Sequence, residues 1–234
     1  MNKSIYTTWQ RIGLKYFWGD FFDSRFYIVY LVSRRKSNII LDIGCGAGVI
    51  LHFAKADLKI GLDYSLDSLK KAKELDSKMQ LIQGDAQHLP FRNNMFSNIL
   101  AIHIISAFQS EDEWNRVSVE IKRTAAENSE IIIAGANRTS KHFKKTHTLE
   151  SRQSYLHYNY LIKLFNDFEI ILEGYSPHSR FLMYPFKILL KIPDKVSEML
   201  MIERLLFRLL RSKRYLKNGR SYIMICKKRV SKNG

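Results

Sequence analysis

Apolar positions along this chain alternate between short continuous runs and stretches spaced as one face of a helix. Residues 39–43 (Ile39-Ile40-Leu41-Asp42-Ile43) are apolar enough for a strand buried on both faces, and they lead into Gly44-Cys45-Gly46-Ala47-Gly48. Residues 47–56 then predict a helix. The alternation repeats downstream. Residues 58–63 read as a strand, 66–76 as a helix capped by Ser65, and 79–83 as a short strand before Gly84-Asp85. Residues 96–105 are nearly continuously apolar. Residues 111–127 predict a helix opened by acids, with Trp114, Val117 and Ile121 on one face, and 130–136 the next strand. A helix over 151–165 and strands over 168–175 and 221–227 close the pattern. Strands alternating with helical patterns predict βαβ units and a parallel sheet.

Three stretches stand apart. Residues 3–36 are rich in aromatics and predict two helices with a break near Gly19-Asp20. Residues 137–150 are polar and basic without periodicity, which predicts a loop; His142 and His147 within it have no partner at a metal spacing. Residues 177–217 combine an apolar segment broken by Pro185 with a predicted helix from Asp194 to about residue 217. On that helix Val196, Met199, Leu200, Leu206, Leu209 and Leu210 fall on one side and Arg204, Arg208 and Arg211 on another.

Charge sharpens this division. The formal net charge is +16, yet residues 1–137 carry 17 Lys+Arg against 15 Asp+Glu, while residues 138–234 carry 21 against 7. The basic character belongs to the C-terminal part, where it favours phosphates of nucleic acid or anionic lipid heads if it is more than a solvated face. No run reaches the roughly 18 apolar residues of a membrane span, and no signal peptide is apparent at the N-terminus. The two cysteines, Cys45 and Cys226, lie far apart without metal spacing and read as reduced thiols, which points to the cytoplasm.

The chemistry concentrates at strand ends. A strand, a glycine turn and a helix start together aim backbone N–H groups at one point, a generic site for the polar groups of a nucleotide-like ligand. Val49 stands where a dinucleotide fingerprint would have its third glycine. Asp63 falls 19 residues after Gly44, the interval at which an acid at the neighbouring strand tip accepts from ribose hydroxyls; the competing reading is an acid at a helix start. Asp85 follows a short strand, where a plain Asx turn is the alternative to a ligand contact. His103, near the C-terminal end of its strand, is open to three readings: a satisfied polar residue, a cofactor contact or a general base. Cys45 occupies a position that needs a small side chain and reads as packing.

Leu41-Asp42-Ile43-Gly44-Cys45-Gly46-Ala47-Gly48 resembles motif I of the class I S-adenosylmethionine-dependent methyltransferases, of the small-molecule type. Gly61-Leu62-Asp63-Tyr64-Ser65 is similar to the second motif of that family, and Gly84-Asp85-Ala86-Gln87-His88-Leu89-Pro90-Phe91 to its adenine motif. The resemblance implies S-adenosylmethionine as cofactor. It implies cofactor contacts from Gly44, Cys45, Gly46, Ala47 and Gly48, where the backbone approaches the ligand, with Asp42 either ordering the loop or meeting the amino group of the methionine part. Asp63 then holds the ribose with Tyr64 and Ser65 as neighbouring contacts, Asp85 and Ala86 meet the adenine, and His103 is a further contact. Two departures are visible: Asn98 where the family often has Asp, and Glu127-Asn128-Ser129 in place of a Pro-Gly-Gly turn.

The fold so implied is a doubly wound α/β, Rossmann-like sheet of seven strands, formed by residues 38–176 and 218–230. Residues 1–37 form an N-terminal helical extension or lid, and residues 177–217 a basic amphipathic helical insertion before the last strand. The activity implied is methyl transfer to an O, N or C atom of a small or lipid-like acceptor. The insertion is then either a cap packed against the domain with a solvated basic face, or a lid that walls the acceptor site and rests peripherally on an anionic membrane. The competing expectations are an RNA methyltransferase that uses the basic C-terminal part, or a cofactor-binding domain without catalysis.

Overall fold

The computed structural model describes residues 24–34, 36–104, 108, 110–137, 158–175, 211–212 and 221–228. Its first half runs α1 (Ser24–Arg34), β1 (Lys36–Ile43), α2 (Val49–Phe53), β2 (Lys55–Asp63), α3 (Leu66–Leu75), β3 (Gln80–Gln83) and β4 (Phe96–Ile102). There follow α4 (Glu111–Thr124), β5 (Ala125–Ala136), α5 (Tyr158–Leu164), β6 (Phe168–Tyr175), β7 (Arg211–Ser212) and β8 (Ser221–Lys228). Among the described residues the strands join one sheet in the order β3-β2-β1-β4-β5-β8-β6-β7. β1 to β5 pair in parallel, and β8 runs against both β5 and β6. This is the doubly wound α/β sheet of seven strands, with a two-residue eighth strand added at one edge.

Alternation along the central strands feeds two cores. Leu41 and Ile43 of β1, Ile99 and Ala101 of β4, and Ile131 and Ile133 of β5 pack with Trp114, Val117 and Ile121 of α4 and Leu161 of α5. The intervening Ile40, Leu100, Ile102, Ile132 and Ala134 pack on the other face with Ile28, Leu31 and Val32 of α1 and Leu51 of α2. Residues 28, 31 and 32 share one helical face, which is why α1 docks with that side inward. A strand buried on both faces has no polar side to offer. That accounts for the unbroken apolar runs read in the sequence.

Four of the boundary differences from the sequence reading have a clear physical reason. The helix expected over 47–56 ends at Phe53, because Ala54 is extended and β2 pairs with β1 from Lys55, opposite Lys36. The helix expected over 111–127 ends at Thr124, where Ala125 enters the sheet opposite Phe96. The register then shifts before Asn98 pairs with Glu130, and Asn128 between them takes a left-handed φ of 59°. β4 ends at Ile102, so His103 lies beyond the strand, also left-handed at φ 58°.

The fourth difference concerns the basic insertion. The helix expected to run to about residue 217 does not reach that far, since Arg211 and Ser212 are extended and pair with Tyr175 and Gly174. The backbone there gains sheet hydrogen bonds on β6, an outcome side-chain periodicity does not encode. The rest of residues 177–217, the loop with His142 and His147, and the first N-terminal helix lie outside the described residues.

Candidate active site

The order of strands reverses between β1 and β4, and ligands in open α/β sheets bind beyond the carboxyl ends of the strands at such a point. A cavity of about 760 Å³ lies there, in the upper part of the range for small-molecule sites. The turns after β1, β2, β3 and β4 each contribute to its wall: Gly44 to Ala47, Asp63 and Tyr64, Gly84 to Gln87, and Ile102 to Ile104. Phe108 and Glu113 complete it on the side of α4.

The glycine loop is shaped by three left-handed residues, Gly44, Gly46 and Gly48, at φ 70°, 53° and 72°. Gly44 and Cys45 both donate their amides to Leu62 O, at 2.7 and 3.1 Å, which ties the loop across to β2. Gly46 donates to Asp63 Oδ2 at 2.8 Å, and Ser65 donates its amide to Asp63 Oδ1 at 2.8 Å. The acid at the tip of β2 is thus held by backbone on both oxygens, with lone pairs remaining for hydroxyl donors.

Ser65 itself caps α3, its Oγ accepting from Ser68 N at 3.3 Å. Tyr64 beside it is 83% exposed and lines the cavity. Asp42 is buried behind the loop and outside the cavity wall. Burial first, and the charge of Asp63 second, push its carboxyl up to about 8. Cys45 is buried in the loop, its thiol pushed far up by the same burial and by Asp42 and Asp63. That leaves it a packing group rather than a nucleophile.

Asp85 is oriented by its own turn and by α4. Its Oδ1 accepts from Gln87 N at 2.9 Å, and Gln87 Nε2 donates to Oδ2 at 3.4 Å. Arg116 of α4 donates to Gln87 Oε1 at 2.8 Å. Further along, Arg123 donates to the carbonyls of Phe91 and Leu89 at 2.6 and 3.0 Å, while Glu120 accepts from Leu89 N at 2.7 Å. The segment after β3 is therefore clamped to α4 by charge-assisted bonds.

The expected site residues do not all meet the cavity in the same way. Gly44, Cys45, Gly46, Ala47, Asp63, Tyr64, Asp85, Ala86 and His103 line it together, whereas Asp42, Gly48 and Ser65 are not part of the wall. The sequence reading did not include Val49, Ile50, Leu62, Gly84, Gln87, Ile102, Ile104, Phe108 or Glu113 among the wall residues. Glu113 had a local signature only as a helix cap. Its Oε2 accepts from Ser110 N and Ser110 Oγ accepts from Glu113 N, a capping box.

These residues fit the implied cofactor. A Cβ built on Gly46 would meet nothing within 4 Å, so open space lies over the loop where a ligand backbone can approach. Asp63 and Asp85 offer carboxylates to ribose hydroxyls and an exocyclic amine, and Ile50 and Leu62 add apolar surface to the same wall. Among the described residues no group of three or more His, Cys, Asp or Glu is placed to hold a metal ion.

A family model described as "Methyltransferase domain" matches residues 34–206. The chain belongs to this family, and S-adenosylmethionine is the cofactor that family and fold imply. Among curated relatives, the chain is 34% identical over 109 residues to ajmaline N-methyltransferase of Rauvolfia serpentina, across 43% of this chain and 36% of that protein. It is 33% identical to sterol 24-C-methyltransferase of Kluyveromyces lactis (32% and 23% of the two chains). It is 25% identical to probable tRNA methyltransferase 9B of Bos taurus (51% and 26%). The matches span well under half the length of these relatives. The fold is similar to that of a SAM-dependent methyltransferase from Archaeoglobus fulgidus, with a TM-score of 0.59, 18% identity and coverage of 91% of this chain and 99% of the other.

Proposed function

We propose that the chain transfers a methyl group from S-adenosylmethionine, in line, to an O, N or C atom of a small or lipid-like acceptor. The observation that carries this reading is the make-up of the cavity. Besides the glycine loop and the two acids, its wall includes Val49, Ile50, Leu62, Ile102, His103, Ile104 and Phe108, a largely apolar lining around a volume of about 760 Å³. The cofactor supplies an already activated methyl group. The protein's part is therefore to position the acceptor at about 3 Å and to exclude water. Gly44 and Gly46 let the backbone approach the ligand, Asp63 receives the ribose, and Asp85 with the Ala86 amide receives the adenine. Asp42 supports the loop from behind. His103, at the tip of β4, takes a proton where the acceptor must lose one.

The names of the relatives support methyl transfer to small and sterol-like acceptors, and no helix among the described residues is long and apolar enough to cross a membrane. A second reading, RNA as acceptor, draws on the basic excess of residues 138–234 and on the tRNA methyltransferase relatives. Incubation with labelled S-adenosylmethionine and fractionated lipid, RNA, protein and small-molecule extracts separates the two. Label in the small-molecule or lipid fraction supports the proposal. Label confined to RNA replaces it, and binding of the cofactor with no label in any fraction points to a domain without catalysis.

A further inference from the structure

Arg116 lies on an exposed part of α4 and outside the cavity wall, yet hydrogen bonds connect it to a carboxylate in that wall. Its Nε donates to Gln87 Oε1 at 2.8 Å, and Gln87 Nε2 donates to Asp85 Oδ2 at 3.4 Å. Gln87 also donates its backbone amide to Asp85 Oδ1 at 2.9 Å. Gln87 and Asp85 line the cavity from the turn after β3, whereas Arg116 comes from a helix 29 residues beyond Gln87.

The polarity of this relay has one solution. A guanidinium carries only donors, so the side-chain oxygen of Gln87 faces Arg116. The planar amide then turns its NH2 the other way, toward Asp85. Reversed, Gln87 would set an NH2 against Arg116 and a carbonyl oxygen against a carboxylate, with repulsion at both ends. His88 Nδ1 stands 3.8 Å from the same Oδ2, beyond hydrogen-bond length, and does not replace the Gln87 donor. Both oxygens of Asp85 thus accept from one residue, and the carboxylate is held as an acceptor in one orientation. Such a group receives an N–H and repels a carbonyl oxygen. Arg123 does a different job on the same segment. It holds the backbone carbonyls of Phe91 and Leu89 and makes no hydrogen bond to Gln87 or Asp85.

Resting on the reading of Asp85 as the adenine acceptor, we propose that Arg116 is a positioning residue for cofactor selection. Through the Gln87 amide it fixes the acceptor face of Asp85, and so favours a purine with a 6-amino group over one with a 6-oxo group.

The test is titration calorimetry on the full chain with S-adenosylhomocysteine and with S-inosylhomocysteine, its deaminated counterpart. Wild type is expected to prefer the amino form by about tenfold or more, the scale of a lost hydrogen bond to a charged group. Arg116→Met keeps a long side chain of good helix propensity and removes the donor. It should narrow that preference by about two- to tenfold, the scale of one net hydrogen bond. Arg116→Lys, which can still donate to Gln87 Oε1, should restore part of it. Arg123→Met loosens the clamp on the segment and leaves the relay in place. It should lower the melting temperature while keeping the wild-type preference. Should Arg116→Met fail to fold, Gln87→Met interrupts the same relay and should narrow the preference likewise. A preference unchanged in a folded Arg116→Met, or narrowed equally by Arg123→Met, overturns the inference; the second result would assign Arg116 to the clamp. Wild type that binds both compounds equally removes the adenine role of Asp85 and the inference with it. Absence of S-adenosylhomocysteine binding to the folded wild-type chain would instead remove the cofactor reading on which both rest.

Discussion

Gly46 and Asp63 are joined by a 2.8 Å hydrogen bond from the loop amide to the carboxylate Oδ2. The bond spans 17 residues of sequence and sets the distance between the glycine loop and the tip of β2. One side chain thereby serves as both tether and candidate ribose acceptor.

Removing that carboxylate has two separable effects. Asp63→Ala should weaken S-adenosylhomocysteine by about 1–3 kcal/mol, the scale of a lost hydrogen bond to a charged group. It should also lower the melting temperature modestly, because the amides of Gly46 and Ser65 lose their acceptor. Titration calorimetry and thermal melts read the two effects. Unchanged affinity would return Asp63 to a purely structural role.

The loop glycines should divide between stability and binding. Gly48 has φ 72°, and a Cβ there would approach Ala72 Cβ at 3.0 Å and Met79 Sδ at 3.1 Å. Gly46 is also left-handed, but its Cβ would face open space. Both alanine variants carry the left-handed penalty of roughly 1–2 kcal/mol. Gly48→Ala adds a clash with the core and should unfold at clearly lower denaturant. Gly46→Ala should fold better than Gly48→Ala, yet bind S-adenosylhomocysteine more weakly than wild type because its methyl group occupies ligand space.

Asp42 should impose a pH dependence on the unliganded fold. Burial raises its carboxyl to about 8 in the folded chain, against an ordinary carboxylate value of 3.8. The folded state therefore holds the proton more tightly than the unfolded state across that interval. This contribution is fully present below the ordinary carboxylate range and is lost as pH rises through about 8. Urea midpoints of wild type should fall from pH 5 to pH 8.5 relative to those of Asp42→Asn, whose amide does not titrate. Parallel curves would show that Asp42 does not titrate in this window.

His103 calls for a substitution that respects its backbone. At φ 58°, asparagine is better tolerated than most residues. If His103 is the base, His103→Asn should lower turnover by roughly 10²–10⁴-fold and leave S-adenosylhomocysteine affinity nearly unchanged. Parallel loss of both in calorimetry and labelled-methyl assays would assign it to cofactor binding.

The C-terminal basic excess makes a prediction independent of the cavity. If residues 177–217 rest on a membrane, the chain should sediment with anionic but not neutral vesicles. Each Lys or Arg near the surface should contribute about 1 kcal/mol, and high salt should release the protein. Binding to RNA with neither vesicle would transfer the basic region to the nucleic-acid reading.

Some of this protein was legible from local chemistry alone. A strand tip, its turn and the next helix start are contiguous in the chain. The glycine loop, Asp63 and Asp85 could therefore be recognised one at a time, and their intervals implied neighbouring strands of a parallel sheet. The double burial of β4 was legible for the same reason, since a strand buried on both faces shows itself as an unbroken apolar run. Tertiary structure decided what depends on pairing between remote segments. Lys55 leaves the helical pattern because Lys36 pairs with it, Ala125 because Phe96 does, and Arg211 because Tyr175 does. Phe108 and Glu113 reach the cavity only because β4 is placed beside β1, which carries the start of α4 over the glycine loop. No spacing in the sequence records that approach, because backbone hydrogen bonds between distant strands, and not side-chain periodicity, create it.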